Sequence, residues 1–271
     1  MSEADVDQPV LYSETEAGVA VLTLNRPDRM NAWGIDMANA FYECVDRAEA
    51  APHIRVLVVT GVGGAFCAGA HLGSSETIGD SLERAGDVDI SKIIGDRPVS
   101  FLTGLRKPVV AAIDGPCVGI GLVLALMCDV RFATTGAKFA APFAKRGLVA
   151  ENGISWILPR LVGWGVAMDL LLSGRTFYAD EAADLHLIKE VVATEVLMET
   201  VLEYAEGIAL QCAPSSLAYI KEQAYRDSTG DVDEAGSRAG VLMGQSLTRP
   251  DFMEGISAFF EKRKPNFPPL Q

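Results

Sequence analysis

The sequence predicts an α/β fold in which a largely parallel sheet gives way to a helical tail near residue 200. Three observations carry this expectation. Short apolar runs alternate with helix-length segments through the first half of the chain, several of the runs read as strands buried on both faces, and helical periodicity takes over from Ile154.

Taken in order, Gly18–Leu24 is a β-type run that stops at Asn25-Arg26-Pro27, and Ile35–Ala50 is an amphipathic helix with Met37, Phe41, Cys44 and Val45 on one face. Val56–Thr60 is a buried strand that runs into the loop Gly61–Leu72. The more polar stretch 80–96 predicts a helix-and-loop insert. The stretch 109–127 is apolar almost throughout and long enough to suggest a membrane span, but Asp114-Gly115-Pro116 interrupts it. We read it as a strand, Val109–Ile113, a turn, and a buried helix, Gly119–Met127. Val130–Thr134 is the next strand. Beyond Ile154 only Leu187–Val192 is β-like, and helices are expected around 197–210, 215–225, 233–247 and 250–261. A helix starting near Asn152 meets Pro159, which removes one internal hydrogen bond and predicts a kink or a boundary there. The expected division is a core over 1–200 and a helical region over 201–271.

Composition narrows the chemistry. The chain has 271 residues and a net charge of -13, so nucleic acid and anionic membranes are poor partners for it. Its five cysteines lack Cys-x-x-Cys spacing and its three histidines are isolated, which argues against a disulfide framework or a zinc site. No metal is expected, and the chemistry falls to carboxylates or backbone groups. The acidic start, Met1 to Gln8, fits neither a signal nor a transit peptide, so the expected location is cytoplasmic.

Two glycine-bearing turns follow buried strands, where open α/β sheets place their ligands. Neither 61–66 nor 119–124 completes Gly-x-Gly-x-x-Gly, and tight turns alone account for them equally well. A helix starting at about Gly119 presents free N–H groups and its positive dipole end, which suits a developing oxyanion. The loop 66–72 offers a second donor.

Phe66-Cys67-Ala68-Gly69-Ala70-His71-Leu72, followed by 111–121 with Asp114-Gly115-Pro116 and Gly119-Ile120-Gly121, resembles the crotonase superfamily of enoyl-CoA hydratases and isomerases. Leu24-Asn25-Arg26-Pro27, Asn31-Ala32, Cys128-Asp129, 158–163, 172–175 and 259–263 extend the likeness over nearly the whole chain. The resemblance implies a crotonase-like spiral of ββα units, a C-terminal helical trimerisation region, and a homotrimer or dimer of trimers. It also implies a pocket for an acyl-CoA thioester, with no separate cofactor because coenzyme A enters as part of the substrate.

Carried over by position, the oxyanion hole is the backbone N–H groups of Ala70 and Ile120. Isoleucine stands where the family commonly has glycine, so donation there requires a negative φ. The two glutamates that hold water in typical hydratases fall at Val123 and Phe143, which transfer no proton. Glu151 occupies the place where Δ3,Δ2-enoyl-CoA isomerases put a glutamate and phenylacetate-pathway isomerases an aspartate. Read without the family, Glu151 is an acid in the first turn of a helix, held by the dipole. Burial would raise its pKa and a helix start would lower it.

The resemblance assigns substrate contacts to Arg29, Met30, Ala32, Ala68, His71, Leu72, Gly119, Val123, Pro142, Phe143, Leu148 and Lys262. His71 is alternatively a solvated loop histidine, Cys67 a packing residue rather than a nucleophile, and Lys262 an ordinary basic residue at a helix end. The leading expectation is an enoyl-CoA isomerase that shifts a double bond through one carboxylate. The alternatives are a hydratase, a hydrolytic enzyme using Glu151 as nucleophile, and a non-catalytic CoA-binding scaffold.

Overall fold

The computed structural model describes residues 8–71 and 95–270; Leu72 and nearly all of the expected insert over 80–96 lie outside them. The strands are β1 (Val10–Glu14), β2 (Val19–Leu24), β3 (Val56–Gly61), β4 (Val109–Ile113), β5 (Pro116–Val118), β6 (Val130–Thr134), β7 (Lys138–Ala140), β8 (Thr176–Tyr178) and β9 (Glu190–Val192). Six of them form a sheet in the order β1-β2-β3-β4-β6-β9, parallel except for β1 against β2.

The central strands are apolar on both faces because both faces are covered. Val19, Val21, Val56, Val58, Val110, Ala112 and Phe132 pack against Leu197, Val201, Ala205 and Ala209 of helix Leu197–Gln211. Their alternates, Ala20, Leu22, Leu57, Val59, Val109 and Ala111, face the main core with helices α1 (Ile35–Ala50) and α2 (Ile120–Met127). Each such valine or leucine, fully buried, contributes about 1.5–3 kcal/mol. Every residue of α2 is buried, which is why its sequence lacks an amphipathic pattern.

A second, shorter layer builds the site. Trp33 bridges Ala70 and Cys67 bridges Cys117, both in parallel, while β5 pairs with β7 and β7 with β8. After a main-sheet strand the chain crosses to this layer and returns through a helix, as in β4, β5, α2 and β6. That is a spiral of ββα units.

Four strands depart from the expectation. β1, β5, β7 and β8 span three to five residues each, too few for a period to register, and they exist through pairing with neighbours. β8 lies inside the stretch expected to be helical. The stretch contains α3 (Ile154–Val162), α4 (Trp164–Ser173) and α5 (Ala179–Asp184). Helix α3 starts two residues later than expected and continues through Pro159; it stops at Gly163, whose φ of 78° ends it. Losing one intrahelical bond does not break a helix whose apolar face, Ile154, Ile157 and Leu158, is buried.

The tail comprises α6 (Leu197–Gln211), α7 (Pro214–Asp227), α8 (Val232–Ser246) and α9 (Pro250–Glu261). Residue 200 falls within α6, which covers one face of the main sheet. Helix α7 is tied to the core by ions. Lys221 donates to Asp129 at 2.7 Å and to the Lys107 carbonyl at 3.1 Å, and Asp129 also accepts from the Val109 N–H at 2.7 Å and the Tyr225 hydroxyl at 3.1 Å. No helix of the described residues is long and apolar enough to cross a membrane.

Candidate active site

The loop after β3 is held in place by close contacts that only particular residues permit. A Cβ on Gly61 would lie 2.3 Å from the Ala65 carbonyl oxygen and 2.7 Å from Asn31 Nδ2. Asn31 is fully buried; its Nδ2 donates to the Val62 carbonyl at 2.9 Å and the Ala65 carbonyl at 2.7 Å, and its Oδ1 accepts from the Arg26 N–H at 2.8 Å. Backbone bonds continue the attachment. Ala68 donates to Met30, Trp33 to Gly69, and His71 to Trp33, at 3.0, 2.8 and 2.7 Å.

The opposite edge of this loop meets the start of α2. Phe66 and Cys67 donate to the Pro116 carbonyl at 3.1 and 3.0 Å, and Val118 donates to Cys67 at 2.9 Å. Cys67 is in parallel register with Cys117, and beyond that bridge the loop runs on to Ala70 while the other segment turns at Gly119 into α2, which begins at Ile120. The two segments run close together: a Cβ on Gly119 would lie 3.8 Å from Gly69 Cα, and one on Gly121 would lie 2.3 Å from the Cys67 carbonyl oxygen. Gly119 adopts φ 56°, ψ −122°, a conformation open to glycine and strained for other residues. The glycines of the incomplete nucleotide pattern thus serve to bring two backbones together.

Two amide donors are left at this meeting. In the bridge, Trp33 uses the Gly69 carbonyl and the His71 N–H, so the Ala70 N–H points to the other side. Ile120 is the first residue of α2, where N–H groups have no intrahelical acceptor. Among the turns, loops and bridges of the described residues, neither amide donates to a backbone acceptor. Ile120 is not among the residues with positive φ, so its isoleucine side chain leaves the amide in ordinary helical geometry. Ile120, Val123 and Phe143 are all buried in the main core, so the surroundings are apolar.

Glu151 stands apart from its expected helical setting. Helix α3 begins at Ile154, and Glu151 precedes it in a turn where Asn152 and Gly153 take φ of 51° and 84° and the Glu151 carbonyl accepts from the Ile154 N–H at 3.1 Å. The reading of Glu151 as a first-turn acid is therefore corrected. The left-handed pair turns the chain before the helix starts. A Cβ on Gly153 would lie 3.3 Å from Met127 Cε and 3.9 Å from Ser100 Cβ, which sets this turn against the end of α2 and the 3-10 turn Val99–Gly104. Burial raises the Glu151 carboxyl above its ordinary value.

The remaining expected residues fall into two groups. Met30, Ala68 and Gly119 join the paired segments, Ala32 donates to Arg29 at 3.1 Å beside them, and Val123 is in α2. Pro142 and Phe143 follow β7, whose Ala140 carbonyl accepts from the Gly119 N–H at 2.9 Å. The Phe143 carbonyl accepts from Arg146 and Leu148, and the Leu148 side chain is exposed. Arg29 is exposed beside Asp28 at 3.2 Å, and His71 is an exposed loop residue. Lys262 caps α9 with φ 54°, and no hydrogen bond or ion pair among the described residues links it to the paired loops. Cys67 is buried and its thiol is pushed up to about 12, which makes it a packing residue and a poor nucleophile. A cavity of about 840 Å³ lies elsewhere, lined by Trp156, Tyr219, Arg226, Arg249 and Leu270, and contains none of the paired residues.

Sequence reasoning gave Asn31 and Gly121 no role beyond their motifs. An asparagine spaced five residues after Arg26, and a glycine within an otherwise fully apolar helix, were the signals. Neither specifies its partner in the second layer.

Comparison with known proteins identifies the family. Residues 14–269 match the model of the enoyl-CoA hydratase/isomerase family. The chain is 35% identical over 258 residues to a 1,2-epoxyphenylacetyl-CoA isomerase of Escherichia coli, covering 95% of this chain and 97% of that one. It is 33% identical over 255 residues to a crotonyl-CoA hydratase of Syntrophomonas wolfei, covering 94% and 96%. A crystal structure of an enoyl-CoA hydratase from Mycobacterium marinum superposes with a TM-score of 0.69 at 59% identity, over 82% of this chain and all of that one. With the spiral of ββα units and a match spanning the paired loops and α2, the chain belongs to the enoyl-CoA hydratase/isomerase family of the crotonase superfamily.

Proposed function

We propose that the protein shifts the double bond of an enoyl-CoA thioester, with Glu151 as the single proton carrier. The observation that carries this reading is the chemistry of the side chains at positions 123, 143 and 151. Val123 and Phe143, which by sequence resemblance stand where hydratases carry their water-activating pair, are apolar and buried, while Glu151 is a half-buried carboxyl whose affinity for a proton is raised by burial.

In this mechanism the substrate carbonyl accepts from the N–H groups of Ala70 and Ile120. The Glu151 carboxylate takes the C2 proton of a 3-enoyl thioester, and the electron pair of that C–H bond moves onto the thioester oxygen as a dienolate. The two amides hold the negative charge, each worth about 3–4 kcal/mol to the transition state. The Glu151 carboxyl then returns the proton at C4, and the double bond comes to rest between C2 and C3. One group serves both steps, so atoms and charge balance without water. A raised pKa suits a group that must both accept and return the proton near neutrality.

The CoA portion is expected to meet Arg29, Met30 and Lys262. Large apolar side chains on α8 and α9, among them Val241, Met243, Met253, Phe259 and Phe260, are more than half exposed in the single chain, which supports assembly through this helical end.

The test is proton exchange at C2 across a panel of acyl-CoA thioesters in heavy water, with wild type and Glu151→Ala, alongside conversion of 3-enoyl-CoA. Exchange and isomerisation by wild type that Glu151→Ala lacks are the expected result. Formation of 3-hydroxyacyl-CoA from a 2-enoyl-CoA, with no C4 protonation, would assign the chain as a hydratase instead.

A further inference from the structure

We infer that Asn31 is a positioning residue for the oxyanion hole, acting through the 61–71 loop; this rests on the reading of Ala70 and Ile120 as oxyanion donors. Its amide bonds to two segments with both donors and its oxygen engaged. Both Nδ2 hydrogens go to loop carbonyls, Val62 and Ala65, and Oδ1 takes the Arg26 N–H of its own turn. The side chain is fully buried and packs so closely on Gly61 that a Cβ there would lie 2.7 Å from Nδ2.

The backbone on either side of Asn31 continues the clamp. Met30 accepts from Ala68, and Trp33 bonds both Gly69 and His71, so the residues flanking Ala70 are fixed from the same turn. Immediately beyond the Ala65 carbonyl, Phe66 and Cys67 bond Pro116, and Cys67 lies against Gly121 at the start of α2. Asn31 thereby sets the distance between its own turn and the loop that carries Ala70, and through Cys67 the position of that loop relative to Ile120. A positive φ of 54° at Asn31, which asparagine tolerates better than most residues, turns its side chain inward at this point. Asn31 itself is assigned no contact with substrate.

The test uses the full chain with Asn31→Gly, which keeps the left-handed backbone and removes the amide, and Asn31→Asp, which keeps the shape and loses both donors. On the acyl-CoA that wild type exchanges fastest, we expect kcat for C2 exchange to fall about 100-fold, the scale of a 1 Å misplacement of a reacting group. KM should change less than threefold, and hydrogen exchange should speed up in the peptide covering 61–71 with that of β2 and β4 unchanged. A role confined to folding would lower kcat only in step with the folded fraction and speed exchange across the whole sheet, which would overturn the inference. Wild-type kcat in both variants, or unchanged exchange in 61–71 in whichever variant folds, would overturn it as well. An inert wild type would instead refute the enolising function itself.

Discussion

Replacing Gly121 by alanine inserts one methyl group between α2 and the loop that carries Ala70. On the present backbone its Cβ would lie 2.3 Å from the Cys67 carbonyl oxygen, 2.7 Å from Cys67 Cβ and 3.0 Å from the Cys67 carbonyl carbon. Carbon-to-oxygen contacts close at about 3.3 Å, so the two segments must separate by about 1 Å. The obstacle is backbone and cannot rotate away; its oxygen also accepts from Val118. Forced separation of packed elements costs about 1–3 kcal/mol, and under the proposed mechanism a 1 Å widening between the Ala70 and Ile120 amides costs about 100-fold in rate. The assay pairs denaturant unfolding with kcat on a 3-enoyl-CoA. Gly207→Ala in α6 is the control, because nothing lies within 4 Å of its new Cβ and alanine favours the helix by up to about 1 kcal/mol. Wild-type stability and turnover in Gly121→Ala would refute the argument that the contact between these segments sets the donor spacing.

Further outcomes follow from the same structure. Glu151→Gln should abolish isomerisation while stabilising the protein at neutral pH; because burial raises the folded-state pKa, ionisation of Glu151 weakens the fold as pH rises through that pKa, and the gain should vanish below the ordinary carboxylate range, as urea unfolding at pH 4 and pH 7 will show. Lys221→Met should destabilise by about 3 kcal/mol by leaving Asp129 without its cation, and adding Asn at position 129 should recover part of that loss in chemical denaturation. Cys67 and Cys128, whose thiols are pushed up to about 12 by burial, should resist iodoacetamide at pH 8 in the native protein and react only on unfolding, as peptide mass spectrometry can follow.

The legible parts of the fold were those whose pattern is local. The uniformly apolar runs at 56–60 and 109–113 announced strands covered on both faces, and Ile35–Ala50 announced a helix with one buried stripe. The order of loop signatures carried the family resemblance, and with it the candidate carboxylate. The short strands of the second layer left no such trace, since three residues such as Thr176–Tyr178 become a strand only when Lys138–Ala140 lies beside them. Glu151 was likewise identifiable by position while its setting was not: the sequence suggested a helix start, whereas two left-handed residues place it in a turn against Met127 and Ser100.

Sequence by itself therefore determined the α/β class, the main strands and helices, the family, and the absence of a proton-transferring residue at positions 123 and 143. These depend on side-chain type and on spacing along the chain. Tertiary structure decided that the loop carrying Ala70 packs against the start of α2, that Asn31 ties two loops, that Lys221 meets Asp129 across 92 residues of chain, and that burial raises the proton affinity of Glu151. Hydrogen bonds and desolvation depend on what lies within a few ångströms in space, and the chain brings those groups together only once its two layers have formed.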